Sequence, residues 1–189
     1  MNENNKHYPV NYTMSSNMKS FFTSITESTE LQKRLYNTDT ILQVSEIAKE
    51  LGHDVSPIEI MKTQAGRVLG IINENNIDDI DTLITGGKPK TGAQWGRGGN
   101  GYLDKAGYWL ITLHTESPKH PDNKQIDAMF TQIQNKNDMQ EKILTAKTIA
   151  DVINVLDEYA ISIDAIELLA YQASMVLLLN DELTLKVAS

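Results

Sequence analysis

The strongest constraint on the fold is an internal repeat. Residues 17–74 align without a gap with residues 125–182 when the first stretch is shifted by 108 positions. Identical pairs at this offset include Phe22/Phe130, Ile25/Ile133, Gln32/Gln140, Thr40/Thr148, Val44/Val152, Glu50/Glu158, Glu59/Glu167, Gln64/Gln172 and Leu69/Leu177. A long match without a gap indicates duplication of one small unit, so the fold must use the same pattern twice.

Each copy of the repeat has the periodicity of amphipathic helices. Met18, Phe21, Phe22 and Ile25 have the i, i+3, i+4, i+7 spacing of one helix face. The stretch 41–51 repeats this pattern, and Gly52 stands where a left-handed helix end is expected. The pattern predicts three or four helices in each copy.

Residues typical of helix starts recur at matching places. The segments 29–32 (TELQ) and 137–140 (NDMQ) are predicted to begin a helix with Thr29 or Asn137 as the cap. The segment 56–59 (SPIE) combines a serine cap, a proline in the first turn and a glutamate three residues on. Its counterpart at 164–167 reads DAIE.

The sequence therefore predicts a mainly α fold of two tandem helical units. Residues 1–16 are Asn-rich and polar and are expected to form a disordered arm. The first unit covers 17–82, a glycine- and aromatic-rich connector covers 83–124, and the second unit covers 125–189. Units this small bury little apolar surface, so the two halves, or two chains, are expected to pack together.

The connector differs from both units in composition. Glycines at 92, 96, 98, 99, 101 and 107 oppose helix formation. The run 108–113 (YWLITL) has the composition of a strand, and the DKAG segment before it could form a turn. A short β-hairpin packed on the helices is therefore expected here.

Charge and residue usage exclude several functional classes. Residues 17–82 carry 11 acidic and 6 basic side chains, and residues 125–189 carry 10 and 4, so nucleic-acid binding is not expected. The chain has no cysteine, which removes thiolate metal sites and cysteine nucleophiles. It has no membrane-length apolar run and no signal peptide, and a cytoplasmic location is expected.

No catalytic or cofactor site is predicted. The four histidines lack metal-binding spacing, and His114 is expected to be structural or exposed. The GRGGNG segment (96–101) lacks the Lys-Ser/Thr of a phosphate loop. Asp78, Asp79 and Asp81 lack the pattern of a calcium loop and are expected to form a solvated acidic turn. The chain is expected not to be an enzyme and to bind no metal or cofactor.

Four motifs of the first copy resemble the Nif-eleven leader family. They are a Phe-containing first helix, an ELQ-type start at 30–32, the segment 44–53 (VSEIAKELGH) and the S-x-x-E restart at 56–59. The second copy keeps these motifs more loosely and has Ala160-Ile161 in place of Gly-His. The family includes nitrogen-fixation-associated proteins and nitrile-hydratase-like leader regions of ribosomally made peptides that enzymes modify.

The resemblance implies a recognition role for the first unit. Leaders of this kind end in an acidic element before Gly-Gly, which 75–87 (NNIDDIDTLITGG) resembles, so Gly86 and Gly87 become a candidate processing site. From physics alone, a flexible linker is the leading interpretation of the same glycines, and only the resemblance brings the processing site level with it. The last residues, 179–189, resemble the element again but end in Ala-Ser.

Contact with a modifying enzyme or a peptidase-transporter would use exposed apolar residues and the acidic element. The candidate recognition residues are Phe22, Leu31, Leu35, Asp78, Asp79 and Asp81. The connector would then stand in the place of a core peptide, with Trp95, Tyr102, Lys105 and Trp109 as candidates for modification.

A second reading is a stand-alone, duplicated binding or assembly protein of nitrogen-fixation context that is never processed. A unit that follows the connector is unusual for a precursor and favours this reading. Self-association of the chain is compatible with either reading.

Overall fold

The described part of the chain is helical throughout. A computed structural model describes residues 6–86, 105–117 and 119–179. Within these ranges there are ten α-helices and no strand. The helices are α1 (Ser16–Glu27), α2 (Thr29–Tyr36), α3 (Ile41–Glu50), α4 (Pro57–Asn73), α5 (Ile77–Ile84), α6 (Ala106–Glu116), α7 (Lys124–Asn135), α8 (Asn137–Thr145), α9 (Ile149–Glu158) and α10 (Ala165–Leu177). The predicted mainly α class is confirmed.

The helix boundaries recur at the offset of 108 residues that the sequence indicated. Helices α1 to α4 start at residues 16, 29, 41 and 57, and α7 to α10 start at residues 124, 137, 149 and 165. An exposed ion pair recurs as well, between Arg34 and Glu50 and between Lys142 and Glu158. The two halves therefore have corresponding helices, although a common origin stays a prediction.

Local hydrogen bonds explain the helix starts, with some differences from the sequence reading. Ser56 and Glu59 form the predicted capping box of α4, and Asp164 caps α10 through the amides of Ile166 and Glu167. The cap of α2 is Ser28 rather than Thr29, because the Ser28 hydroxyl accepts from Leu31 N.

The second copy of that start lacks the predicted cap. Lys136, not Asn137, is the N-cap residue of α8, and it makes no side-chain capping bond. The next helix of each half begins with a capping box that the sequence analysis did not predict. Thr40 pairs with Gln43 at α3, and Thr148 pairs with Asp151 at α9.

The largest helix interface joins the fourth helix of one half to the corresponding helix of the other. Helices α4 and α10 pack directly against each other. Both are buried on almost every side, including the polar Gln64 and Gln172. A helix that is apolar all round is a core helix rather than a surface helix. The pair α4 and α10 is therefore the centre of the molecule.

Two segments outside the repeat extend this core. Helix α5 packs on α4 and also on α9 and α10, so it bridges the two halves. Residues 6–15 lie along α4, where Tyr8 N donates to Asn73 Oδ1 and the Tyr12 hydroxyl lies 2.8 Å from Thr63 Oγ1. Lys6 also pairs with Glu167 of α10. The predicted disordered arm over 1–16 therefore does not describe residues 6–15.

The predicted hairpin is wrong for residues 106–116, which form α6. This helix packs on α8, α9 and α10 of the second half. Its side chains Trp109, Leu110, Ile111 and Leu113 are all buried. Burial on several sides explains the error, because a short, continuously apolar run does not separate a core strand from a core helix.

One backbone position distinguishes the halves and yields a test. Gly52 follows α3 with φ of +86°, and Ala160 takes the same place after α9 with φ of +57°. A left-handed conformation is unfavourable for a residue with a Cβ. Ala160→Gly should raise the free energy of unfolding by about 0.5–1 kcal/mol, measured by urea unfolding.

The matched control is Gly52→Ala, which should destabilise by a similar amount because a Cβ there meets no atom within 4 Å. A loss of stability in Ala160→Gly would contradict the assignment of a shared helix end.

Candidate recognition site

The acidic element of the first unit is a capped helix rather than a solvated turn. Asn76 Oδ1 accepts from Asp79 N at the start of α5, and Asn76 Nδ2 donates to Asp79 Oδ2 at 3.0 Å. Asp78 and Asp81 are exposed, whereas Asp79 is buried. Carboxylates in a first helical turn interact favourably with the helix dipole. Asp79 therefore has a structural role here, and Asp78 and Asp81 remain available for contact.

The apolar candidates of the first unit are less accessible than the sequence suggested. Leu31 is 8% exposed and Leu35 is 0% exposed, so the expectation that they lie on the surface is wrong. Both belong to the apolar stripe by which α2 packs on the core. Phe22 is half-buried, and the Arg67 guanidinium lies 5.7 Å from its ring centroid. Phe22 remains a candidate contact residue, while Leu31 and Leu35 explain stability.

Other apolar side chains of the first half are exposed and were missed. Leu42, Leu51 and Ile77 each expose more than a third of their surface. Leu42 lies beside the buried stripe of α3, and Ile77 begins α5. The amphipathic pattern could have identified Leu42, because it falls between the positions that the stripe occupies. Single exposed apolar residues are common on proteins and do not by themselves define a site.

The candidate processing site begins at a fixed glycine. Gly86 closes α5 with φ of +85°, and its amide donates to Leu83 O at 3.4 Å. A Cβ at this position would lie 2.7 Å from Thr148 Cγ2 at the start of α9. Gly86 is therefore a helix-ending residue packed on the second half, which differs from a flexible linker. Gly87 lies outside the described residues.

The candidate modified residues divide into two groups. Trp95 and Tyr102 lie outside the described residues. Lys105 is exposed at the N-cap of α6, and Trp109 is 6% exposed in the core. An enzyme could reach Lys105 in the folded chain, but it could reach Trp109 only if α6 left its position.

His114 belongs to an aromatic cluster that holds α6 to the second half. Its ring stacks on Phe130, with ring centroids 3.6 Å apart, and its Nδ1 lies 2.9 Å from the Tyr171 hydroxyl. The His120 ring also lies against the His114 ring, with centroids 4.7 Å apart. His120 Nδ1 is 3.9 Å from Asp127 Oδ1.

Burial has the largest effect on the pKa of His114 and on that of Tyr171. Burial and the neighbouring His120 lower the pKa of His114, against an opposing effect of Asp127. Burial likewise raises the pKa of the Tyr171 phenol. Within the described ranges, no group of three or more His, Asp or Glu side chains could hold a metal ion.

The histidine cluster predicts a pH dependence of stability. The pKa of His114 is lower in the folded than in the unfolded chain. The contribution of neutral His114 to the free energy of unfolding is therefore complete above the unfolded pKa, near 6.5. That contribution is lost as the pH falls through the lower folded value. The free energy of unfolding should therefore fall on acidification below about pH 6.5, and His114→Gln should make the fall shallower. Urea unfolding at pH 7.5, 6.5 and 5.5 measures this; an identical slope in the variant would contradict the assignment.

The glycine at the end of α5 yields a second test. Gly86→Ala should cost more stability than Gly52→Ala, because both have the same φ but only Gly86 faces Thr148. We expect an additional loss of about 1–3 kcal/mol from overpacking. Thr148→Ser removes the opposing methyl and keeps the hydroxyl that caps α9. In the Thr148→Ser background, Gly86→Ala and Gly52→Ala should lower the free energy of unfolding by the same amount. A persistent difference would contradict the contact.

None of the helices over residues 6–86, 105–117 and 119–179 is long and apolar enough to cross a membrane. Comparison with curated proteins found no match, and comparison with solved structures found none either.

A comparison with protein-family models identified one similarity. The Nif11 domain matches residues 15–60, which cover α1, α2, α3 and the start of α4. This match supports the predicted resemblance for one copy. Residues 15–60 are therefore similar to a domain known in leader peptides of ribosomally made, modified peptides.

Proposed function

We propose that the chain is a non-enzymatic, leader-like recognition protein whose first unit is bound by a modifying or transport enzyme. The observation that carries this proposal is the match of residues 15–60 to the Nif11 domain. We also propose that the second unit is a second copy of that domain, because its helices start at the same offset of 108 residues. A cytoplasmic location accords with this role.

The accessible elements favour one contact region on the first unit. Asp78 and Asp81 project from the exposed side of α5, and Ile77 beside them is 62% exposed. Phe22 is the accessible member of the predicted apolar set. The enzyme would therefore read carboxylates and isolated apolar side chains on a folded domain. Exposed charges at the edge of such a contact, here Asp78 and Asp81, affect the association rate more than the affinity.

The packing of α6 narrows the segment on which an enzyme would act. Residues 106–117 are held by the second unit, with Trp109 in the core. The substrate-like segment is therefore 88–105, with Trp95 and Tyr102, rather than the whole of 88–124. Processing at Gly86 and Gly87 would require Gly86 to leave Thr148 first.

Mass spectrometry of the chain from its native host tests the proposal. We expect a mass change within 88–105, or a fragment that begins at Lys88, with the peptide covering 106–117 unmodified as an internal control. Asp78→Asn with Asp81→Asn should slow modification, whereas Asp54→Asn, an exposed carboxylate elsewhere on the first unit, should leave it unchanged. An intact and unmodified chain would contradict the proposal.

A second candidate function is a stand-alone binding or assembly protein that is never processed. Two observations favour it: α6 is buried against the second unit, and Gly86 packs on Thr148 of that unit. Affinity capture with the full chain discriminates between the two. A stoichiometric partner that requires both units, together with an unprocessed chain, would support this second candidate.

A further inference from the structure

The second unit contains a notch that receives the first residues of α6. Ala106 N donates to Lys147 O at 3.2 Å, and Gly107 N donates to Ala146 O at 3.1 Å. From α10, the side-chain amide of Gln172 donates to Ala106 O at 2.9 Å. The first amides of a helix have no partner within the helix. The notch supplies those partners, which explains why Lys105 makes no capping bond.

Close contact in this notch requires a residue without a side chain. A Cβ on Gly107 would lie 1.7 Å from the carbonyl oxygen of Ile143 in α8. Gln172 is 0% exposed, so its amide depends on the docked backbone for a partner. The notch therefore selects a glycine-containing backbone and fixes it with a buried glutamine.

The first unit has the corresponding positions in the same order. At the offset of 108 residues, Leu35 replaces Ile143, Thr38 and Asp39 replace Ala146 and Lys147, and Gln64 replaces Gln172. Gln64 is 4% exposed on α4. We define the first-unit notch by Leu35, Thr38, Asp39 and Gln64.

One atom of the first-unit notch lacks its partner. Within the described part of the chain, Gln64 Nε2 is buried and has no hydrogen-bond partner, whereas Gln172 Nε2 has Ala106 O. The oxygen and nitrogen of the Gln64 amide cannot be exchanged. Arg67 Nη1 donates to Gln64 Oε1 at 3.3 Å, and a guanidinium can only donate. An unsatisfied buried donor costs about 1–3 kcal/mol. The notch is therefore built to receive a carbonyl oxygen.

We propose that residues 87–104 of this same chain dock in the first-unit notch and accept the hydrogen bond of Gln64. This segment contains six glycines together with Trp95 and Tyr102, the same combination of glycine and aromatic residues that α6 presents at Gly107 and Trp109. Its ends follow α5 and precede α6, so it is tethered on both sides. Tethering raises the effective concentration to the millimolar range, above that of a competing partner.

The proposal goes beyond recognition by an enzyme and does not depend on it. Each unit would hold one part of the connector: the second unit holds α6, and the first unit holds the segment before it. The extended length of this segment is about 60 Å, so its reach does not limit docking.

A double-mutant cycle in the full chain tests the proposal. Residues 87–104 are replaced by a linker of equal length that contains only Ser, Thr and Asn. We expect the melting temperature to fall by about 3 °C in the wild-type background and by less than about 1 °C in the Gln64→Leu background. In the matched Gln172→Leu background the fall should persist in full. Equal falls in the wild-type and Gln64→Leu backgrounds, or no fall in either, would overturn the proposal.

The environment of Trp95 provides an independent readout. The protein is labelled with 5-fluorotryptophan, and Trp95→Phe assigns the two fluorine resonances without altering the core residue Trp109. Docking predicts that a soluble paramagnetic nitroxide broadens the Trp95 fluorine resonance less in the wild type than in Gln64→Leu. Equal broadening in the two proteins would overturn docking. A dimer whose melting temperature depends on concentration and on Gln64 would assign the notch to a second copy and would also overturn it.

Discussion

The packing of α4 against α10 is the interaction on which the rest of the structure depends. Each helix is the most buried helix of its half, and each is buried on almost every side. A small helical unit has too little interior to bury such a helix alone. Pairing the two helices places the exposed side of each core against the other. Residues 6–15, α5 and α6 then cover the edges of this shared core.

The two halves have corresponding helices that share some features and differ in others. The helix starts, the exposed ion pairs and the buried glutamines recur, because they are set by local sequence that both halves keep. The surroundings differ because only one connector joins the halves. Helix α6 of the connector lies on the second unit. Gln172 Nε2 therefore has a hydrogen-bond partner, whereas Gln64 Nε2 has none among the described residues. The asymmetry is therefore a direct consequence of chain connectivity.

Local patterns predicted much of the fold and little of the candidate site. The stripe through Phe21 and Ile25 and the cap at Ser56 identify helices from a few neighbouring residues. By contrast, Gly107 reads as a helix breaker in the sequence, and only its contact with Ile143 O shows why a helix needs it. The burial of Leu35, the packing of residues 6–15 and the contact between Gly86 and Thr148 likewise depend on distant parts of the chain.

For function, the structure shifts attention from the apolar stripe of α2 to the surface of α5 and to the connector ends. Leu31 and Leu35 stabilise the domain, while Asp78, Asp81 and Phe22 remain accessible to a partner. Within the connector, Gly86 and Ala106 both lie against the second half. A protein that presents a substrate-like segment would hold it between two anchored points.

The most direct test of the shared core is the folding of one half alone. Residues 6–86, expressed without the second half, retain α4 but lose α10, the partner that covers it. A core of this size supplies about 3–5 kcal/mol at most, and part of that depends on α10. Circular dichroism with analytical ultracentrifugation should show a monomer without a cooperative melt, or a dimer that pairs two copies of α4. A monomeric half with a cooperative transition at high temperature would contradict the account.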